Sequence, residues 1–260
     1  MSSVTVFDRA KNKSISNLAV IPARGGSKRI PRKSIRDFCG KPMIAWSIEA
    51  AITSRLFEHI VVSTDNEEIA TIAISLGAEV PFRRPAELAD DHTATRPVVN
   101  HAIREAEEHF GRPDHVCCIY PTAPFIQIDD LRLGLNQLIA SAADFAFTVT
   151  RFAYPIQRAL KLTETGGIAM FQPEHRKTRS QDLEPAYHDA GQFYWGRTKA
   201  FLEDRDTVSS SGTPIILPNW RVHDIDTEED WARAELTFQA LTSSKGTSST
   251  QAMANGSTSS

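Results

Sequence analysis

Apolar and polar positions alternate along the chain in blocks, with short apolar runs separated by longer amphipathic stretches. Leu18-Ala19-Val20-Ile21 is a continuous apolar run and predicts a buried strand. Pro42 opens a stretch in which Ile44, Ala45, Ile48, Ala51 and Ile52 fall on one helical face. His59–Ser63 predicts a second strand. Asp65 stands where a helix running to Leu76 would be N-capped, with Glu68 in the reciprocal capping-box position. Ala78–Phe82 predicts a third strand, Thr93–Phe110 a helix, and His115–Ile119 a fourth strand. Asp129–Ala140 then predicts a helix and Asp144–Val149 a fifth strand. Strands and helices in this rhythm predict an α/β domain with a mostly parallel sheet.

The rhythm breaks between Thr150 and Gln192. Pro155, Gly166-Gly167 and Pro173 interrupt short β-like pieces, so this segment, about 150–191, predicts a hairpin-rich excursion. Strand character returns at Gly191–Trp195 and Pro214–Leu217. A last helix follows Thr227, with Asp230 three residues on as its capping-box partner and Trp231, Ala234, Phe238 and Leu241 as its apolar positions. Residues 1–16 are polar and irregular, and the Ser/Thr/Gly-rich tail from Thr242 to Ser260 has no apolar period. Both predict disorder, leaving one domain over about 17–241.

Composition changes this picture little. Of 260 residues, 41% are hydrophobic and 23% charged, as in a water-soluble globular protein. The 29 basic and 32 acidic residues give a net charge of -3, which argues against nucleic acid or a membrane surface as the main partner. Cys39, Cys117 and Cys118 form neither a disulfide framework nor a CxxC metal pair. Free thiols, the lack of an apolar signal segment before Asn17 and the lack of a spanning run predict a cytoplasmic location.

Charge distribution changes the picture more. Arg24, Lys28, Arg29, Arg32, Lys33, Arg36 and Lys41 crowd into the 18 residues after the first strand, opposed only by Asp37. In open α/β sheets ligands bind at the carboxyl ends of strands, where this loop must lie. Gly25-Gly26 would let backbone N–H groups approach an anion, and Arg24 and Lys28 would supply charge to a polyphosphate. A solvated basic turn is the competing reading. The chain has no P-loop, no G-x-G-x-x-G, no G-x-S-x-G and no H-E-x-x-H.

The run Ala23-Arg24-Gly25-Gly26-Ser27-Lys28-Arg29-Ile30-Pro31-Arg32-Lys33 resembles the signature loop of the cytidylyltransferases that activate nonulosonic acids. Further matches are Val62-Ser63-Thr64-Asp65, Arg84-Pro85-Ala86-Glu87-Leu88-Ala89-Asp90, Tyr120-Pro121-Thr122-Ala123-Pro124 and Asp224-Ile225-Asp226-Thr227. The likeness runs from about Asn17 to Leu241. Phe145–Thr150, Pro155–Leu160, Arg179–Leu183 and Ala186–Trp195 resemble the branch of the family that acts on pseudaminic acid. N-acetylneuraminic and legionaminic acids are the alternative acceptors, and a nucleotide-binding regulator on the same scaffold is the non-enzymatic alternative.

The resemblance implies a Rossmann-like nucleotidyltransferase with a small dimerisation lobe, a homodimer, CTP and a nonulosonic acid as substrates, and Mg²⁺ as cofactor. It implies nucleotide binding by Ala23, Arg24, Gly25, Gly26, Ser27, Lys28, Lys33, Ser34 and Arg84, with Arg24, Lys28 and Asp226 as catalytic groups. Ser34 departs from the family pattern, where asparagine commonly follows the lysine and helps hold the nucleotide, so its role stays open. Arg84 also reads as a surface cation beside Arg83. Asp224 and Asp226, at i and i+2, put two carboxylates on one side of an extended segment. Alone the pair favours turn and capping duty; the resemblance shifts it to Mg²⁺. For the sugar the candidates are Thr122, Arg158, Arg179, Gln181, Tyr187 and His188, with Arg158 or Arg179 suited to its carboxylate. His188 beside Asp189 also fits a structural histidine, and no general base is assigned.

Overall fold

The structure, a computed structural model, describes the backbone of residues 16–254 and the side chains of residues 16–243. The chain runs β1 (Asn17–Pro22), β2 (Asp37–Phe38), β3 (Lys41–Pro42), α1 (Met43–Ser54), β4 (His59–Ser63), α2 (Glu67–Ser75), α3 (Thr95–Phe110) and β5 (His115–Ile119). It continues α4 (Ile128–Ala140), β6 (Phe145–Arg151), β7 (Leu160–Leu162), β8 (Ile168–Met170), β9 (Tyr187–Arg197), α5 (Thr198–Leu202), β10 (Gly212–Leu217) and α6 (Glu228–Ala254).

Six strands form one sheet in the order β10-β6-β9-β5-β1-β4. All neighbours pair parallel except β9, which lies antiparallel between β5 and β6. The strands read as near-continuous apolar runs because both faces are covered. On one face Ile44, Ile48, Leu131, Leu135 and Leu138 of α1 and α4 pack with Ile21, Val62, Phe193 and Trp195. On the other, Val99, Ala102 and Ile103 of α3 pack with Val20, Val116, Cys118 and Phe145. A third cluster of Ile30, Phe38, Met43, Phe125, Ile225 and Trp231 fixes the start of α6 against the loop after β1. Helix α4 sits so close to β9 that a Cβ at Gly134 would come 2.7 Å from the Trp195 ring. Trp195 is fully buried, and its truncation to alanine is expected to cost about 3–5 kcal/mol.

Several sequence expectations are corrected. Asp65 does not cap α2; Asn66 does, its Oδ1 accepting from Ile69 N at 3.0 Å. Asp65 is turned toward the loop after β1 instead. Glu68 pairs with Arg32 rather than closing a capping box. The third strand expected at Ala78–Phe82 is a single parallel bridge, Val61 to Glu79, because the chain leaves the sheet edge there. Ile52 is not on the buried face of α1; it is 41% exposed. The capping box of Thr227 and Asp230 does form, with Asp230 Oδ2 accepting from Thr227 N at 2.9 Å. Helix α6 then continues past Leu241 to Ala254, where disorder was expected. No proline interrupts it, and each further residue adds a hydrogen bond to an existing nucleus. Residues 1–15 and 255–260, also expected to be disordered, lie outside the described residues.

Candidate active site at the carboxyl ends of the strands

The loop after β1 and the segment before α3 enclose a cavity of about 600 Å³. Its walls carry Arg24, Lys28, Arg29, Lys33 and Arg84 against Asp90, Asp91 and Asp226. Five cations facing three carboxylates leave an excess of positive charge, suited to a polyphosphate. Ser27, Ser34, Thr93, Thr95, Tyr120 and Thr122 add hydroxyls to the lining.

Each cation is placed by its own element. Arg84 is 5% exposed and donates from Nε to Ser63 Oγ at 3.2 Å and from Nη2 to the Ser63 carbonyl at the end of β4. This excludes the reading of Arg84 as a surface cation. Burial lowers its pKa to about 10, so it keeps its charge at neutral pH. Lys33 donates to the Ile225 carbonyl at 2.7 Å and lies 3.2 Å from Asp226 Oδ1. Arg29 approaches Asp226 Oδ2 at 2.8 Å. On the opposite wall Asp91 holds both Arg24 and Lys28, each at 2.5 Å. These bonds, to Lys28 first and then to Arg24, hold the Asp91 carboxyl below its ordinary range. Two carboxylates thus occupy four cations in the protein alone. Asp91 and Arg29 were not assigned from sequence; the partner of Arg24 becomes visible only when residues 67 positions apart meet.

Most expected nucleotide residues line this cavity, and three do not. Ala23 is buried in the core, with its N–H on the Ser63 carbonyl at 3.0 Å. Gly25 spends its N–H on Asp65 Oδ1 at 2.9 Å, so that group is not offered to an anion. A Cβ at Gly25 would come 2.9 Å from Asn66 Nδ2, so the loop needs glycine to approach the α2 cap. Gly26 is exposed with open space around it and is not among the lining residues.

The expected sugar residues divide. Thr122 lines the cavity beside Tyr120 and Pro121. Arg158, Arg179, Gln181, Tyr187 and His188 do not line it; they lie in the excursion. Arg158 donates to Ser180 Oγ at 3.2 Å, and Arg179 pairs with Asp182 at 2.8 Å. Gln181 lines a separate hollow of about 480 Å³ with Arg151, Tyr154 and Asn219. Tyr187 is 46% exposed. The His188 ring rests edge-on against Phe152, and its Nδ1 faces the Asp189 carbonyl at 2.9 Å.

Asp226 lines the cavity, whereas Asp224 stands outside it. The Asp224 carboxyl is raised above its ordinary range by partial desolvation and then by the charge of Asp226. No group of three or more His, Cys, Asp or Glu side chains among the described residues is placed to hold a metal ion alone. Mg²⁺ usually takes only one or two carboxylates and completes its shell with phosphate oxygens and water, so two hard carboxylates beside a phosphate-sized cavity fit it. The close like charges would also be relieved by a cation.

A cation-lined cavity at the strand ends of a mostly parallel sheet is an arrangement suited to a nucleotidyltransferase. The chain belongs to the cytidylyltransferase family, whose model matches residues 18–217. Pseudaminic acid cytidylyltransferase of Campylobacter jejuni is 45% identical over 225 residues, covering 86% of this chain and 97% of the relative. CMP-N,N'-diacetyllegionaminic acid synthase of Legionella pneumophila is 33% identical, over 84% of this chain and 94% of that one. The solved structure of CMP:2-keto-3-deoxy-manno-octonic acid synthetase complexed with CTP shares the fold, with a TM-score of 0.63 at 16% identity over 87% of this chain and 99% of that one.

Proposed function

We propose that this protein transfers CMP from CTP to the anomeric hydroxyl of pseudaminic acid, releasing pyrophosphate. The observation that carries the reading is the five-cation cavity at the end of β1, in a chain 45% identical to a protein named for this activity. Arg24 and Lys28 bind the leaving phosphates and stabilise the charge that moves onto pyrophosphate. To do so they exchange Asp91 for phosphate oxygens, and Asp91 is exposed and free to withdraw. Arg84, fixed on Ser63, contributes a charge that does not move. Lys33 holds Asp226 toward the cavity and balances its charge. Mg²⁺, held by Asp226 and Asp224, neutralises phosphate charge when bound.

The excursion supports a homodimer. Tyr154 is 84% exposed, Leu162 81%, Ile168 69% and Phe171 62%, an apolar surface that a second copy would cover. In that arrangement Arg158 and Arg179 act at the partner's site. Three free cysteines, two of them buried, support a cytoplasmic location, and no helix among the described residues is long and apolar enough to cross a membrane.

The test is pyrophosphate release with CTP, Mg²⁺ and a panel of nonulosonic acids. EDTA is expected to abolish release and added Mg²⁺ to restore it. Pseudaminic acid is expected to exceed N-acetylneuraminic acid in kcat/KM by about 10²-fold, the order at which enzymes without editing discriminate against an added hydroxyl. Equal values, or the reverse order, would overturn the acceptor and leave the cytidylyl transfer standing.

A further inference from the structure

The cations of the main cavity commit it to the nucleotide, and at about 600 Å³ it has the size of a site for one small ligand. The acceptor sugar needs further room. Thr95 and Tyr120, on the wall of that cavity, also line a second hollow of about 210 Å³. The two hollows differ in charge. One cation, Arg96, and one carboxylate, Asp189, line this annex, so it suits a neutral polar group rather than an anion. The Arg96 guanidinium lies over the Phe145 and Phe201 rings at 4.6 and 4.9 Å and donates to Thr207, which takes up its charge within the wall.

The polar groups of the annex are held in place before any ligand arrives. Strand β9 runs against β5, and Tyr194 stands opposite Cys118 in register, so both face the same side of the sheet. The Tyr194 hydroxyl donates to Asp189 Oδ2 at 2.5 Å, and Gly191 N donates to Asp189 Oδ1 at 2.8 Å. Burial raises the pKa of Tyr194, so the phenol keeps the proton it donates. An ionised carboxylate has about four lone-pair sites, which leaves each Asp189 oxygen open to a further donor. Asp189 is also exposed, so a ligand can reach it. Thr95 Oγ1 and the Tyr120 hydroxyl lie 3.2 Å apart. Two hydroxyls carry two protons and the bond between them uses one, so the other can meet a carbonyl oxygen. Val99, one turn after Thr95 on α3, joins Cys118, Phe201 and Val208 as the apolar part of the lining. A fixed acceptor, a donor hydroxyl and an apolar end are the complement of a secondary amide, with its N–H, its C=O and its alkyl group.

Resting on the transferase reading above, we propose that the annex selects the acceptor by holding an acylamino group carried on the sugar's exocyclic chain. The amide N–H meets Asp189, the carbonyl meets the Thr95 and Tyr120 hydroxyl pair, and the alkyl end lies against Val99, Cys118 and Phe201. Pseudaminic acid carries such a group at C7, where N-acetylneuraminic acid carries a hydroxyl. That hydroxyl can donate to Asp189 but fills neither the carbonyl position nor the apolar end. Asp189 therefore reads the acceptor, and Tyr194, which aims the carboxylate, is a positioning residue.

The test measures kcat/KM at saturating CTP for pseudaminic acid and for an analogue with hydrogen in place of the C7 acylamino group. The wild type is expected to favour the amide by about 10²–10³-fold, from one hydrogen bond to a charged group, one between neutral groups and one buried methyl. Asp189→Asn should shrink that preference by about 10- to 100-fold, the worth of a hydrogen bond to a charge. Tyr194→Phe should shrink it less. Val208 is 74% exposed at the annex, so Val208→Trp fills the hollow from outside the core and should also shrink the preference. KM for CTP should hold in all three. A structural defect lowers both acceptors alike and keeps the preference, so that result in Asp189→Asn and Val208→Trp would overturn the subsite. A wild type that uses the analogue as well as pseudaminic acid would also overturn it and leave the cytidylyl transfer standing. A wild type that converts no nonulosonic acid would fail the transferase reading itself, and the subsite with it.

Discussion

The rim of the sheet and the excursion after β6 carry similar chemistry in sequence and opposite arrangements in space. At the rim, cations from the loop after β1 and from Arg84 converge with Asp91 and Asp226 on one cavity. In the excursion, Arg158, Arg179, Tyr187 and His188 point to local partners or solvent, and apolar side chains such as Leu162 and Ile168 lie open. The rim is anchored by strands buried on both faces, whereas the excursion hangs on one short hairpin of β7 and β8 and a series of single turns. A site can be complete within one chain only where the core fixes both of its walls. The excursion has one wall, and the second copy proposed above would supply the other.

The largest expected effect tests the rim. Lys28 is 82% exposed and pairs with Asp91 at the surface, so Lys28→Ala should leave thermal stability nearly unchanged. Turnover should fall about 10²–10³-fold, as when one charged group that stabilises a transition state is removed. A loss of that size with intact folding keeps the rim as the chemical region. Wild-type pyrophosphate release would move the phosphate-binding role elsewhere.

The same contrast explains what could be read from the sequence. Strand and helix periods describe residues that meet near neighbours in the fold, so β1, β4, β5 and α3 to α4 stood out. The capping exchange between Asp65 and Asn66 did not, because both side chains suit a cap and only the approach of Gly25 decides between them. The two-residue strands β2 and β3 have no period to read; their turn is made by Cys39 and Gly40 at positive φ. Arg24 and Lys28 were legible as a basic cluster, but their partner Asp91 looked like one more residue of a polar loop.

A smaller effect tests the excursion. Leu162→Glu combined with Ile168→Glu places two charges on the exposed hairpin without touching the core. If a second copy covers this face, self-association should weaken by about 10²-fold, since disrupting an apolar side chain at the centre of an interface typically costs roughly a factor of ten or more. Light scattering measures the shift, and acceptor use should fall while KM for CTP holds. A variant that keeps the mass and the activity of the parent would make the excursion a complete region in its own right and erase the contrast.

The smallest effect returns to the rim and asks whether its apparent completeness is an internal substitute for substrate. Asp91 sits where Arg24 and Lys28 would meet phosphate oxygens, so binding CTP requires those pairs to be exchanged. Asp91→Asn removes the competing charge and keeps the size of the side chain. Because the pairs are exposed and screened, the gain is limited, and KM for CTP should drop roughly two- to fivefold. The drop should shrink in high salt, where the original pairs are already weakened. The opposite sign carries equal information. Weaker CTP binding in Asp91→Asn would mean that the carboxylate stays beside the two cations in the bound state and holds them in place, so that the rim is assembled before the nucleotide arrives.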